Sequence, residues 1–106
     1  MLIDLRTYTF HPGKLSVFLP RFEAEGLPLQ TRHCGNLVGY FLAETGTLNQ
    51  VVQLWAYLDA ADRDARRARL WADPEWQTFG AWALPLIQHQ ENRLLKPTTF
   101  SPRKWA

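Results

Sequence analysis

Four groups of residues in this chain have the types and spacing to do chemistry. Near the start, Asp4, Arg6 and Tyr8 alternate with apolar neighbours and so share one face of a strand-like segment. Further on, Gln53, Trp55 and Tyr57 share a face in the same way, and near the end His89, Glu91 and Arg93 do so. Arg6 and Arg93 together could grip a carboxylate or phosphate. Alternatively, Arg6 and Glu91 could form a buried pair that specifies an interface, because buried charges need partners. Tyr8, Tyr40, Trp55 and Tyr57 suit the wall of a pocket, where a hydroxyl orients a ligand, and equally suit a dimer core. Finally, His33 adjoins Cys34. A neighbouring imidazole can activate a thiol, but sequence neighbours often point apart, so a packed cysteine is the reading preferred here. His33 itself lies at a helix-to-strand junction, where it can cap carbonyls or titrate in a pocket.

Several chemistries are not expected. His11, His33 and His89 fall on different segments without metal-ligand spacing, so no metal centre is expected. The chain has no phosphate-binding glycine loop and no Gly-x-Ser-x-Gly elbow, so no nucleotide cofactor or serine nucleophile is expected. Twelve basic and ten acidic residues leave a net charge of +2, too little to imply nucleic acid. The cluster Arg63, Arg66, Arg67 and Arg69 is interleaved with acids. Asp59 to Arg63 and Asp62 to Arg66 are each spaced for helix-surface pairing, which reads as a solvated helix face. One cysteine allows no intrachain disulfide. No secretory pattern and no membrane-length apolar run occur, so the expectation is a cytoplasmic protein without membrane insertion.

At 106 residues the chain should be one domain, with an irregular tail over 97–106. Strands are expected over Leu2–Phe10, about Leu37–Thr45, Gln50–Leu58 and His89–Lys96. The spacing of Leu15, Phe18, Leu19 and Phe22 predicts a helix over Lys14–Glu25, kinked or broken at Pro20 and interrupted again near Gly26 and Pro28. Asp59 should cap a helix over Ala60–Ala72, and Asp73-Pro74 should open another. The order strand, helix, strand, strand, helix, strand is that of the ferredoxin-like fold, α+β with a four-stranded antiparallel sheet and its helices on one face.

Alternation divides each strand into two sets. Val52, Leu54, Ala56 and Leu58 suit packing against helices. The mixed sets, with Arg6, Tyr8, Gln53, Trp55, Tyr57, Glu91 and Arg93, suit neither a broad surface patch nor a dry core. Two subunits pairing their sheets around a polar-aromatic cavity would satisfy both conditions. Five Trp, six Phe and three Tyr in so small a chain also ask for cover by a second subunit.

Several strings are familiar in order and spacing. They are Leu5-Arg6-Thr7-Tyr8 with Pro12-Gly13-Lys14, Leu37-Val38-Gly39-Tyr40 after Arg32-His33, Leu48 to Trp55, Asp73-Pro74-Glu75-Trp76, and Gln90 to Leu95. Together they resemble the NIPSNAP family over almost the whole chain. The resemblance implies a ferredoxin-like subunit that dimerises into an α/β barrel, and it implies no particular reaction. Where that family commonly has a His before Leu-Trp on the third strand, this chain has Gln53, and an amide is no general base near neutral pH. Two functions remain open. One is a homodimeric barrel enclosing a small-molecule pocket, with no bound cofactor. The other is a non-catalytic interaction domain working through its outer helices or its tail.

Overall fold

The computed structural model describes residues 1–103. Strand β1 (Leu2–Phe10) leads through the His11-Pro12-Gly13 turn into helix α1 (Leu15–Arg21). A π-helical turn (Phe22–Gly26) joins α1 to α2 (Leu27–Cys34), which is followed by β2 (Asn36–Leu42) and β3 (Gln50–Tyr57). Then come α3 (Ala60–Ala72), α4 (Pro74–Ala83), a 3-10 turn (Leu84–Leu86) and β4 (Ile87–Leu95). All strand pairings are antiparallel, in the order β2-β3-β1-β4. This is the expected ferredoxin-like α+β fold. Ser101 closes a turn onto Thr98, and Trp105, in the expected tail, lies outside the described residues.

The helical run from Leu15 to Cys34 does not break at Pro20. Proline withholds one amide, and the ladder absorbs the loss by widening to a π turn immediately downstream, with helical dihedrals at Arg21, Phe22, Gly26 and Leu27. Gly26 interrupts nothing either. It is where the helix packs closest, since a Cβ there would lie 2.7 Å from the Phe22 ring and 2.8 Å from the Phe79 ring. Asp59 caps α3 by accepting from the Asp62 amide at 2.8 Å, and Asp73 caps α4 by accepting from the Glu75 amide at 2.9 Å. The β2–β3 connection is longer than expected, because β2 stops at Leu42.

The face assignment differs from the expectation. Register pairs Asp4 with Trp55, Arg6 with Gln53 and Tyr8 with Val51, and these residues look toward the helices. Tyr8, Phe10, Tyr40 and Val51 pack with Phe18, Phe22 and Phe79 from the helical layer, while Trp55 and Tyr57 pack with Cys34 and Leu70. The aliphatic set Val52, Leu54 and Ala56 looks the other way, with Leu5, Thr7 and Phe41. Arg6 tolerates a covered position because it has Asp4 as a counter-ion within the subunit. A register shift between Thr9 and Phe10 places Gln90, Asn92 and Leu94 on the helix side of β4, and therefore His89, Glu91 and Arg93 on the bare side.

Candidate functional site

The site begins with a buried carboxylate. Asp4 has no exposed surface, and its oxygens accept from three side chains. Arg63 Nε lies 2.9 Å from Oδ2, Arg6 Nη1 lies 3.1 Å from the same oxygen, and Asn92 Nδ2 lies 3.2 Å from Oδ1. Burial alone would raise the Asp4 pKa. The hydrogen bond from Arg63, the charge of Arg6 and the bond from Asn92 outweigh it and hold the carboxyl below its ordinary value. Asp4 thus serves both guanidiniums, and Arg63 has a second carboxylate, the exposed Asp64, 3.4 Å from its Nη1. Arg63 reaches Asp4 from α3, so the expected Asp59–Arg63 surface pair is replaced, whereas Asp62 and Arg66 do pair, at 2.9 Å.

Arg6 also donates from Nε to the Tyr8 hydroxyl oxygen at 2.9 Å. That bond takes up an acceptor site on Tyr8 and leaves its own O–H free to donate. Next along the sheet, Gln53 is buried, and its carbonyl oxygen accepts from Trp55 Nε1 at 2.7 Å and, more weakly, from Gln30 Nε2 at 3.5 Å. Arg6, Tyr8, Tyr40 and Gln53 from the sheet and Gln30 and Arg67 from the helices line a cavity of about 70 Å³ between the two layers. Phe22, Trp71, Trp76, Phe79 and Ala83 line much of the rest. No Asp, Glu or His belongs to the lining. Two polar atoms of lining residues, Tyr40 Oη and Trp76 Nε1, are buried without a hydrogen-bond partner among the described residues. Burial, with Tyr8 beside it, pushes the Tyr40 pKa far above its ordinary value, so its hydroxyl stays protonated.

Of the residues singled out from sequence, Arg6, Tyr8, Tyr40 and Gln53 converge on this cavity. Trp55 and Tyr57 do not line it and instead belong to the core around Leu70. Glu91 and Arg93 are exposed on the bare side of β4, so neither the Arg6–Arg93 clamp nor the Arg6–Glu91 pair forms. Arg6 takes Asp4 as its partner, and Glu91 lies 3.6 Å from His89. His33 lies outside the lining. Its Nε2 is 2.8 Å from Asp73 Oδ2, which ties the end of α2 to the cap of α4 and lowers the Asp73 pKa. Cys34 is buried, and burial pushes its thiol pKa up, away from a nucleophilic thiolate. Gln30, Arg67 and Trp76 were not legible as site residues. The arginine cluster marked Arg67 only as a helix-surface charge.

Among the described residues, no three His, Cys, Asp or Glu side chains converge to hold a metal, and no helix is long and apolar enough to cross a membrane. Comparison with known proteins places this geometry in a family. The NIPSNAP family model matches residues 3–102. Human NipSnap homolog 2 is 32% identical over 102 residues, which is 95% of this chain but 35% of that protein. The chain thus spans about a third of the human homolog's length, and 18% of that of a putative NipSnap protein from Caenorhabditis elegans. The crystal structure of an uncharacterized NIPSNAP domain protein from Burkholderia xenovorans is 43% identical, covers 96% of this chain and 99% of its own, and superposes with a TM-score of 0.91. A putative antibiotic biosynthesis monooxygenase from Nitrosomonas europaea, 10% identical with a TM-score of 0.67 over 92% of this chain and 98% of its own, shares the fold alone. With the family model matched over nearly its whole length, the chain belongs to the NIPSNAP family.

Proposed function

We propose that the chain is the subunit of a cytoplasmic homodimer that binds a small organic molecule inside each subunit, between sheet and helices. The observation that carries this reading is the convergence of Arg6, Gln30, Tyr40 and Gln53 on one cavity beneath the helices. Apolar side chains there would close the core without needing partners. The cavity, about 70 Å³, is smaller than the roughly 150 Å³ space that admits benzene in an engineered core, so the ligand has few heavy atoms. The dimer is supported by the bare sheet face, where Leu5, Val52, Leu54 and Phe41 have no helix over them. A cytoplasmic setting is supported by a single, buried, unpaired cysteine.

Ligand-observed NMR against small polar fragments tests the pocket, with Ala83→Met as the variant that fills it. Binding to the wild type that is lost in Ala83→Met, while its circular dichroism stays native, is expected. No binding, or equal binding to both, overturns the pocket. Native mass spectrometry at micromolar protein should show the dimer, and a monomer overturns that half of the reading.

A further inference from the structure

The donors around the cavity say what kind of ligand it takes. Trp76 Nε1 can only donate, and it has no acceptor among the described residues. Tyr40 Oη is likewise unpartnered, and its elevated pKa keeps the proton on it. Tyr8 accepts from Arg6 and so has its own O–H to give. The Gln53 oxygen is occupied by Trp55, which turns its NH₂ into the free end. Arg67 lines the same space and makes no ion pair among the described residues. The pocket therefore holds several free donors and two guanidiniums, Arg6 and Arg67, and no acidic side chain in its lining competes. Leaving two buried donors unmade is unfavourable, and an acceptor oxygen removes that penalty.

We propose that the cavity is a binding site for a short aliphatic monocarboxylate. The carboxylate would accept from Tyr40 and Trp76 under the charge of Arg67, and its alkyl end would rest against Phe22, Phe79 and Ala83. Shape and charge set this class apart from its neighbours. A phosphate would bring two charges into a space walled largely by aromatic rings, where Arg6 is already bonded to Asp4 and Tyr8 and Arg67 is left to meet them. A neutral amide could use Tyr40 and Trp76 but would gain little from Arg67. An amine could use amide and hydroxyl oxygens but would stand beside the guanidiniums of Arg6 and Arg67 with no acidic side chain in the lining. The inference rests on the small-molecule reading above and names its ligand.

The indole N–H signals of the five tryptophans provide the test on the full chain. Trp76→Phe identifies the Trp76 signal. Trp55, already bonded to Gln53, serves as the internal reference. Propionate, titrated at constant ionic strength against chloride, should move the Trp76 signal downfield and saturate, while Trp55 stays still. Propionamide should bind at least about tenfold more weakly, the worth of one charge-assisted hydrogen bond, and propylamine should not bind. Tyr40→Phe should weaken propionate about tenfold with no loss of thermal stability, since it removes an unpartnered group. Arg67→Gln should weaken propionate by a similar factor and leave propionamide unchanged. Equal affinity for propionamide and propionate overturns the carboxylate assignment and leaves the pocket standing. A Trp76 signal that no compound moves, or that moves equally with chloride, overturns both.

Discussion

At the residue scale, Asp4 is the side chain on which the covered polar layer depends. It is the counter-ion of both Arg6 and Arg63, which are 12% and 18% exposed. Asp4→Asn keeps the volume and removes the charge, leaving Arg6 without a carboxylate partner and Arg63 with only the exposed Asp64. Removing one partner of a buried pair commonly costs about 3 kcal/mol or more, and a loss of about that size is expected in urea unfolding. The pH dependence follows from the sign of the shift. A carboxyl whose folded pKa is depressed contributes stability that is complete above its unfolded value, about 3.9. That contribution is lost as pH falls through the lower folded value. Wild-type stability should therefore drop below about pH 4 with a component that Asp4→Asn lacks. Acid unfolding curves that coincide in shape would show that Asp4 is not the titrating anchor.

At the element scale, the helical layer is aligned by close contact rather than by regular geometry. Pro20 spends one hydrogen bond of the first helix, the π turn after it shifts the phase of α2, and Gly26 then lets the run press against Phe79 of α4. That phase sets where Gln30 meets Gln53, and so where the cavity forms. Gly26→Ala should gain about 1 kcal/mol of helix propensity. It must also displace two phenyl rings, an overpacking of about 1–3 kcal/mol. A net loss of about 1 kcal/mol in thermal or urea unfolding is expected, with the shift transmitted to Phe22 and Phe79 at the cavity wall. A more stable Gly26→Ala would mean that the rings move aside freely.

At the scale of the whole molecule, the two sheet faces have divided tasks. One carries charge and amides beneath helices, and the other carries Leu5, Val52, Leu54 and Phe41 without a covering layer. Phe41 lays its ring across Gly39, where a Cβ would collide with it. Leu54 is central on this face, paired with Leu5 on one side and with Gly39 on the other. Leu54→Arg places a charge there without touching the helix-covered side. The proposed dimer should then come apart, so light scattering is expected to report a dimeric mass for the wild type and half of it for the variant, with native circular dichroism and an unchanged Asp4-dependent acid transition. A Leu54→Arg protein that remains dimeric would move the interface elsewhere.

Element order, strand alternation, the caps at Asp59 and Asp73 and the opening of α4 at Pro74 were all determined by the chain locally. Each depends on residues a few positions apart, whose propensities act without tertiary help. The membership of Arg6, Tyr8 and Gln53 in polar-aromatic strand sets was legible for the same reason, because period two assigns such residues to a common face. Which face the helices cover was not. That choice depends on Arg63 reaching Asp4 across 59 positions, on Asn92 reaching it across 88, and on a register shift at Thr9 and Phe10 that reverses the faces of β4. Gln30, Arg67 and Trp76 enter the site from helices, and a helix's docking angle is set by how it packs on its neighbours. The sequence alone thus determined the elements and two candidate faces, and tertiary packing decided which face was enclosed, because only there do the buried charges find their partners.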